Sequence, residues 1–190
     1  MNDQMIGVLG IQGGFSRHQD AVARLGFKTI LVKTLEDLRK ADKLIMPGGE
    51  STAMRLLLKK HGLWDNLKEF VKTKPVFGTC AGAILLSKSI DSNEESLMAI
   101  DVAIARNSYG RQIDSFETNL EVTLNSRVHV IPSMFIRAPQ ITKINKNIQI
   151  LAQYENMPVL VQENHVLIAT FHPELTNDDT ICSYFLNYVK

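Results

Sequence analysis

The sequence has few cysteines, almost no net charge and no long apolar run, and each shortage excludes a class of protein. Its 190 residues carry 21 basic and 20 acidic side chains, for a formal net charge of +1. Because there is no surplus of positive charge, we expect neither nucleic acid nor an anionic membrane surface as a partner. No stretch approaches the roughly 18 apolar residues of a membrane-spanning helix, and the first residues lack the basic segment of a secretory signal. We therefore expect a soluble, cytoplasmic protein.

The cysteine count and the glycine pattern limit metal and cofactor chemistry. The sequence contains only Cys80 and Cys182, far apart and without a CxxC pair, so it indicates neither a disulfide framework nor a zinc site. There is no GxxxxGK[ST] motif and no GxGxxG motif, which argues against nucleotide and dinucleotide binding. We expect no metal and no cofactor. Four histidines have no metal-ligand spacing and receive no chemical role: His18, His61, His129 and His165.

Short apolar runs alternate with amphipathic stretches in the first half of the chain. The runs predict buried strands at residues 5–11, 27–32, 43–46 and 75–78. The stretches between them have the spacing of helices. This alternation is typical of a parallel sheet that helices cover on both faces.

The second half shows closer alternation of β-branched residues. It predicts strands at residues 117–124, 127–131, 148–154, 158–162 and 165–170, and a closing helix over residues 176–189. No repeat or linker divides the chain. We therefore predict one domain over residues 1–190 with a three-layer α/β fold, in which a mostly parallel central sheet has helices on both faces.

Cys80 lies where an apolar strand gives way to a helix, in the sequence GTCAG. Small neighbours permit a sharp turn that projects the sulfur into a cleft. At such a turn, backbone N–H groups and the start of the helix favour a thiolate and an oxyanion. The alternative is a buried structural cysteine, which is the commoner fate of a lone cysteine.

A second motif, Phe171-His172-Pro173-Glu174, follows the last predicted strand. Pro173 biases His172 toward an extended backbone, in which His172 and Glu174 point to the same side. The carboxylate is then able to fix the imidazole tautomer while the ring takes the proton of a thiol. Alone, the motif is equally compatible with a solvated loop, so its meaning depends on its combination with Cys80.

Paired glycines follow the strand at residues 43–46, in the sequence MPGGEST. Gly48 and Gly49 let the main chain approach a ligand and adopt a peptide orientation that other residues resist. The alternative is a simple loop in which Ser51 or Thr52 caps the next helix, a role that is compatible with function.

Together these blocks resemble the class I glutamine amidotransferases, and within them the glutaminase subunits of pyridoxal 5'-phosphate synthases. The resemblance extends from about Ile6 to the C-terminal helix and includes VLGIQGG, MPGGEST, VFGTCAGAILL, ARNSYGRQIDSFE, FIRAP and FHPEL. The cysteine turn and HPE mark the broad class, whereas PGGEST, RNSYGRQ and FIRAP match the narrower group. The resemblance implies a flavodoxin-like fold.

The resemblance also implies roles for individual residues. Cys80 would attack the carboxamide of L-glutamine, His172 would relay protons and Glu174 would orient His172, so that a glutamyl thioester forms and ammonia leaves. The implied substrate-binding residues are Gly49, Glu50, Ser51, Arg106, Ile136 and Arg137. The implied oxyanion hole consists of the backbone N–H groups of Gly49 and Ala81, with Gln12 beside it.

An arginine suits the substrate's α-carboxylate because a planar guanidinium holds a carboxylate with two parallel hydrogen bonds. The alternative for Arg106 and Arg137 is surface solvation, which is less expected for Arg137 within the apolar run FIRAP. A nearby polar cluster has loop stabilisation as its alternative role: Asn107, Tyr109, Arg111 and Gln112.

The leading hypothesis is a glutaminase that supplies ammonia to a partner. By resemblance, that partner is a (β/α)8-barrel synthase subunit that builds pyridoxal 5'-phosphate, within a large hetero-oligomer. Two alternatives stay open. One is a glutaminase for another class I amidotransferase or a γ-glutamyl hydrolase, and the other is a non-catalytic regulatory module.

Overall fold

A computed structural model describes residues 3–106 and 115–190 of the chain. Its strands are β1 (Met5–Leu9), β2 (Lys28–Val32), β3 (Lys43–Met46), β4 (Val76–Thr79), β5 (Ser87–Ile90), β6 (Ile100–Ala105), β7 (Ser115–Leu124), β8 (Arg127–Ile136), β9 (Gln140–Ile144), β10 (Gln149–Tyr154), β11 (Met157–Glu163) and β12 (Val166–Ala169). Its helices are α1 (Phe15–Arg24), α2 (Leu35–Lys40), α3 (Ser51–Lys60), α4 (Trp64–Phe70), α5 (Ala81–Leu86) and α6 (Thr180–Tyr188). A 3₁₀ turn at Pro173–Leu175 precedes α6.

Five adjacent strands of the large sheet run parallel, in the order β2-β1-β3-β4-β12. β3, β4 and β12 are buried along their whole length, as expected for strands covered on both faces. Because parallel strands end at the same edge of a sheet, the segments that follow β1, β3, β4 and β12 meet there. These segments contain, in turn, Gln12, Gly49, Cys80 and His172. The topology therefore brings the predicted site together at one edge.

Four antiparallel strands complete the nine-stranded sheet, in the order β11-β10-β7-β8 after β12. β7 and β8 form a hairpin whose turn residues, Asn125 and Ser126, have φ angles of 48° and 63°. Positive φ at both central residues is the signature of a two-residue type I′ turn. The predicted α/β class is confirmed, and the sheet is mixed: parallel in the half that carries the predicted site and antiparallel in the other half.

Helices cover both faces of the large sheet. Successive residues of β3 point to opposite sides, so that Ile45 joins the apolar cluster of α1 and α6, while Met46 joins the cluster of α3, α4 and α5. This arrangement gives the three layers that the alternation of strands and helices predicts. None of the helices in the described parts of the chain is long and apolar enough to cross a membrane.

A separate three-stranded sheet, in the order β5-β6-β9, was not predicted. β5 begins directly after α5 ends at Leu86, so no turn residue marks the change from helix to strand. Ile90, Ile104 and Ile141 of this sheet pack into the same cluster as α5. The small sheet matters to the site because β6 ends immediately before Arg106.

Candidate active site

Cys80 occupies a sharp turn between β4 and α5. Its backbone has a φ of 47° and a ψ of −103°, which is unfavourable for a residue with a side chain. The flanking glycines are required by crowding, since a Cβ on Gly82 would lie 2.1 Å from the carbonyl oxygen of Met46. A Cβ on Gly78 would lie 2.7 Å from the backbone carbonyl carbon of Gly82. Steric crowding therefore explains why both flanking positions of the GTCAG sequence are glycine.

His172 is held from two sides. Its backbone N–H donates to the carbonyl oxygen of Met134 in β8 at 2.8 Å, and its Nδ1 lies 2.7 Å from Glu174 Oε1. An ionised carboxylate only accepts, so Nδ1 carries the proton in this hydrogen bond. The other ring nitrogen, Nε2, is then left to exchange a proton with Cys80.

The electrostatics of the pair favour a proton on His172. Burial alone would lower the pKa of His172, but the neighbouring thiol of Cys80 and the hydrogen bond to Glu174 raise it to about 10. Burial alone would likewise raise the pKa of Glu174, but the neighbouring imidazole of His18 and the hydrogen bond from His172 lower it below its ordinary value. The site therefore stabilises an imidazolium next to a carboxylate.

The loop that contains Gly48 and Gly49 lies close to Cys80 and His172. A Cβ on Gly48 would lie 2.4 Å from His172 Cε1 and 3.4 Å from the Cβ of Cys80. Gly49 has a φ of 155°, and a Cβ there would lie 2.8 Å from Gln12 Oε1. Gln12 Oε1 also accepts the backbone N–H of Glu50 at 3.0 Å. Gln12 therefore holds the glycine loop in place from the end of β1.

The cap of α3 differs from the prediction. Neither Ser51 nor Thr52 caps the helix; Glu50 does, accepting the backbone N–H groups of Thr52 and Ala53 at 3.1 and 2.6 Å. Ser51 is the first residue of α3 and is buried. The carboxylate of Glu50 completes the unpaired first turn of α3 and also borders the cleft above Cys80.

A cleft of about 460 Å³ opens above Cys80. Most of the predicted site residues line it: Gln12, Gly49, Glu50, Ser51, Cys80, Arg106, Ile136, Arg137 and His172. Ile84 and Pro139 complete the wall. Glu174 does not line the cleft because it lies behind His172, and Ala81 is buried at the first position of α5.

The two arginines reach the cleft from different elements and have different surroundings. Arg106, after β6, donates from Nη1 to Thr52 Oγ1 at 2.9 Å, and the same nitrogen is 2.9 Å from Glu94 Oε2. Glu94 also pairs with Arg55 at 2.9 Å. Arg137 follows β8 and has a φ of 41°. Glu94 thus positions the guanidinium of Arg106. The chain turns at Arg137, whose backbone is strained, at the edge of the cleft.

Three residues near the site were not given these positions by the sequence analysis. His18 received no role, yet it is buried beneath Glu174. Thr52 was considered only as a cap, and Glu94 received no role. Their partners are 12 or more positions away in sequence, so no local spacing reveals them. The cluster of Asn107, Tyr109, Arg111 and Gln112 lies outside the described residues.

The family model of the SNO glutamine amidotransferase family matches residues 8–190. The chain belongs to the SNO glutamine amidotransferase family. A pyridoxal 5'-phosphate synthase subunit PdxT of Francisella philomiragia is 48% identical over 182 residues, which is 96% of this chain and 97% of the relative. The corresponding PdxT of Thermosipho africanus is 46% identical over 187 residues, 97% and 98% of the two chains. The resemblance found in the sequence is confirmed, and this SNO family member is a glutamine amidotransferase.

Solved structures support the same fold. A crystal structure of a glutamine amidotransferase superposes with a TM-score of 0.89 at 39% identity, covering 95% of this chain and 96% of the other. The predicted class I glutamine amidotransferase fold is therefore confirmed for this SNO family member. Its 39% identity means that the agreement extends beyond strand order to much of the sequence.

Proposed function

We propose that the chain hydrolyses L-glutamine to L-glutamate and ammonia at Cys80 and supplies the ammonia to a synthase subunit that makes pyridoxal 5'-phosphate. The observation that carries the proposal is a cleft lined by Cys80 and His172, with Glu174 hydrogen-bonded to His172 behind it, in a member of a glutamine amidotransferase family. The relatives that are called pyridoxal 5'-phosphate synthase subunits support the choice of product.

The first half of the reaction forms a thioester. The sulfur of Cys80 attacks the carboxamide carbon of glutamine, after its proton has passed to His172 Nε2. The C–N bond of the resulting tetrahedral intermediate then breaks, and the leaving nitrogen takes the proton from His172 and departs as ammonia. The raised pKa of His172, about 10, favours the state in which the imidazole already holds that proton.

The second half of the reaction releases glutamate. Water attacks the carbonyl carbon of the thioester and gives a proton to His172, and the C–S bond breaks as the sulfur takes the proton back. Glu174 contributes in both halves of the reaction by accepting a hydrogen bond from the Nδ1–H of His172, with Nδ1 2.7 Å from Glu174 Oε1. This contact fixes the ring and stabilises its positive charge, without any proton transfer to the carboxylate.

The oxyanion of both intermediates requires donors close to Cys80. The backbone N–H groups of Gly49 and Ala81 are the candidates. Ala81 begins α5, where the first N–H groups have no partner within the helix. Gln12 contributes indirectly, because its hydrogen bond to the N–H of Glu50 fixes the peptide that follows Gly49.

The remaining cleft residues would hold the amino acid. Arg106 and Arg137 place two guanidinium groups beside the cleft, which suits the α-carboxylate of glutamine. Glu50 supplies a negative charge for the α-ammonium group, and Ser51 and Ile136 border the side chain. A cleft of about 460 Å³ is of the size expected for a small-molecule site.

The partner is the second part of the proposal. A glutaminase that worked alone would waste glutamine, so we expect ammonia to pass to a (β/α)8-barrel synthase subunit within a large hetero-oligomer. The relatives are named as subunits of a synthase, which supports an assembly of more than one kind of chain. The segment around residues 12–17 and the loop at Gly48 and Gly49 are the proposed contact areas, because both border the oxyanion peptide. A cytoplasmic location stays a prediction.

The direct test measures glutamine-dependent ammonia release by the purified chain, alone and with the barrel synthase subunit and its sugar phosphates. We expect strong activation by the partner and formation of pyridoxal 5'-phosphate. High activity that ignores the partner would move the protein to the γ-glutamyl hydrolase alternative. No ammonia release in either condition would favour the non-catalytic module.

A further inference from the structure

His18 is a buried polar side chain that the proposed mechanism does not use. It lies on α1, is 2% exposed, and forms a T-shaped pair with the ring of Phe77. Its Nε2 is 3.2 Å from Thr79 Oγ1 and 3.6 Å from Glu174 Oε2. Thr79 immediately precedes Cys80, and Glu174 holds His172. The imidazole of His18 therefore sits between the two chain segments that carry the nucleophile and the base.

One oxygen of Glu174 needs a donor. Oε1 accepts from His172 at 2.7 Å, whereas Oε2 is buried and has no hydrogen bond within the described residues. A buried carboxylate oxygen without a partner is costly in a medium of low dielectric constant. The Nε2 atom of His18 faces this oxygen at 3.6 Å, and a shift of about half an ångström brings it to normal hydrogen-bond length.

The surroundings of His18 favour a neutral ring. Burial lowers the pKa of His18; the carboxylate of Glu174 opposes this effect, and the charge of His172 adds to it. Among the described residues, these two are the charged groups that act on the pKa of the ring. A neutral imidazole has one N–H, and with the proton on Nε2 that N–H points toward Glu174 Oε2 and Thr79 Oγ1. His18 then supplies a donor without adding a positive charge that would compete with His172.

We propose that His18 is a positioning residue, which donates from Nε2 to Glu174 Oε2 and so holds Oε1 against the Nδ1–H of His172. The proposal rests on the proposed function, since it assigns His18 a role in the same proton relay. It extends the relay to a fourth buried side chain, from α1, that touches neither substrate nor the reacting atoms.

Two substitutions separate the donor from the packing. His18→Gln keeps an amide N–H near the position of Nε2, whereas His18→Leu fills similar space without a donor. With the barrel synthase subunit present, we expect His18→Leu to lower kcat for ammonia release roughly tenfold, the loss typical of removing an orienting partner. We expect KM for glutamine to change less than about twofold. His18→Gln should retain most of the wild-type kcat.

The pH profile supplies a readout that packing alone would not move. Activity requires ionised Glu174, and loss of the donor raises the pKa of this carboxyl group. The acid limb of kcat/KM should therefore move upward by about one pH unit in His18→Leu, and stay in place in His18→Gln.

His165→Gln is the matched control, because His165 Nε2 binds the carbonyl oxygen of Val71 at 2.9 Å, at the opposite end of β12 from His172. It should leave both parameters unchanged.

The outcomes are distinguishable. Wild-type kinetics in a folded His18→Leu variant, or equal defects in the Gln and Leu variants with unshifted pH profiles, would overturn the positioning role. If His18→Leu does not fold, His18→Asn takes its place, because its shorter amide falls short of Glu174 and should reproduce the loss that Gln avoids. A failure of the proposed function itself would appear differently, as no ammonia release by the wild-type chain with its partner.

Discussion

At the scale of a single residue, Cys80 should be essential for catalysis and nearly dispensable for folding. Its side chain is small and borders a cleft, so Cys80→Ala should abolish ammonia release while changing the free energy of unfolding by no more than about 1 kcal/mol. Partner binding should also persist. Coupled measurement of ammonia and of urea unfolding checks both halves of the prediction. Ammonia release near the wild-type rate would show that another nucleophile acts.

His172 and Glu174 differ in what each contributes. His172→Asn removes the group that exchanges protons with Cys80, so we expect a loss of at least ~10²-fold in kcat. Glu174→Gln should cost less, because its proposed contribution is the orientation and charge stabilisation of His172 through a 2.7 Å hydrogen bond. Steady-state kinetics of the two variants decide the order. Equal losses would mean that Glu174 does more than orient the ring.

At Gly48, even a methyl side chain should collide with the active site. In Gly48→Ala, the new Cβ would meet His172 Cε1 at 2.4 Å and force the ring or the loop to move. A displacement of this size should lower kcat about 10²-fold. Gly14→Ala is the matched control for added volume, because a Cβ on Gly14 meets nothing within 4 Å. Binding of the synthase subunit is measured for both variants, since Gly14 lies in the proposed contact segment. Similar kinetics for the two alanine variants would contradict the proposed contact.

At the scale of an element, the C-terminus of α6 depends on a buried lysine from β3. Lys43 Nζ donates to the carbonyl oxygens of Phe185, Leu186 and Val189 at 3.1, 2.8 and 2.6 Å. These carbonyls have no partners within the helix, so the lysine acts as a cap from another layer of the fold. Burial, with a smaller effect of Lys190, lowers the pKa of Lys43 to about 8.

This lowered pKa predicts a pH dependence of stability. Between pH 8 and 10.5, Lys43 is protonated in the unfolded chain but not in the folded chain. The free energy of unfolding therefore includes the full contribution of Lys43 above pH 10.5, and this contribution is lost as the pH falls through 8. The free energy of unfolding of the wild type, relative to Lys43→Met, should therefore rise with pH across this window. Urea unfolding of both proteins at several pH values measures the difference. A fall would show that the three carbonyl contacts outweigh burial.

Elements with strong local signals were predictable, and elements set by neighbours were not. The four strands of the first half follow from their apolar runs, although β2 lies at the edge of the sheet and is buried only at Val32. The predicted strand stops at residue 131, yet β8 continues through Pro132 to Ile136. It is the edge strand of the sheet, where the missing N–H of a proline is tolerated. β5 escaped prediction because it follows α5 with no turn residue between them. β6 was missed although its residues alternate between buried and half-buried positions. The cap of α3 was missed because Glu50 is an uncommon N-cap.

At the scale of the whole molecule, the sequence indicates which motifs belong to the site, and the fold explains why they meet. Cys80, His172 and the glycine loop all follow parallel strands, so strand order alone predicts that they converge. Contacts between distant segments are different. The approach of His18 to Glu174 depends on how α1 packs across the sheet, and the pairing of Glu94 with Arg106 depends on the unpredicted small sheet. Neither depends on local spacing, so neither was predictable.

The central claim is that Cys80 carries the glutamyl group as a thioester. The most direct measurement mixes isotopically labelled glutamine with the chain and the barrel synthase subunit, quenches with acid within milliseconds, and maps the label by mass spectrometry of peptides. The account predicts label on the peptide that contains Cys80, and none on that peptide in Cys80→Ala. Ammonia release with no label at Cys80 at any quench time, or with label on another residue, would contradict it.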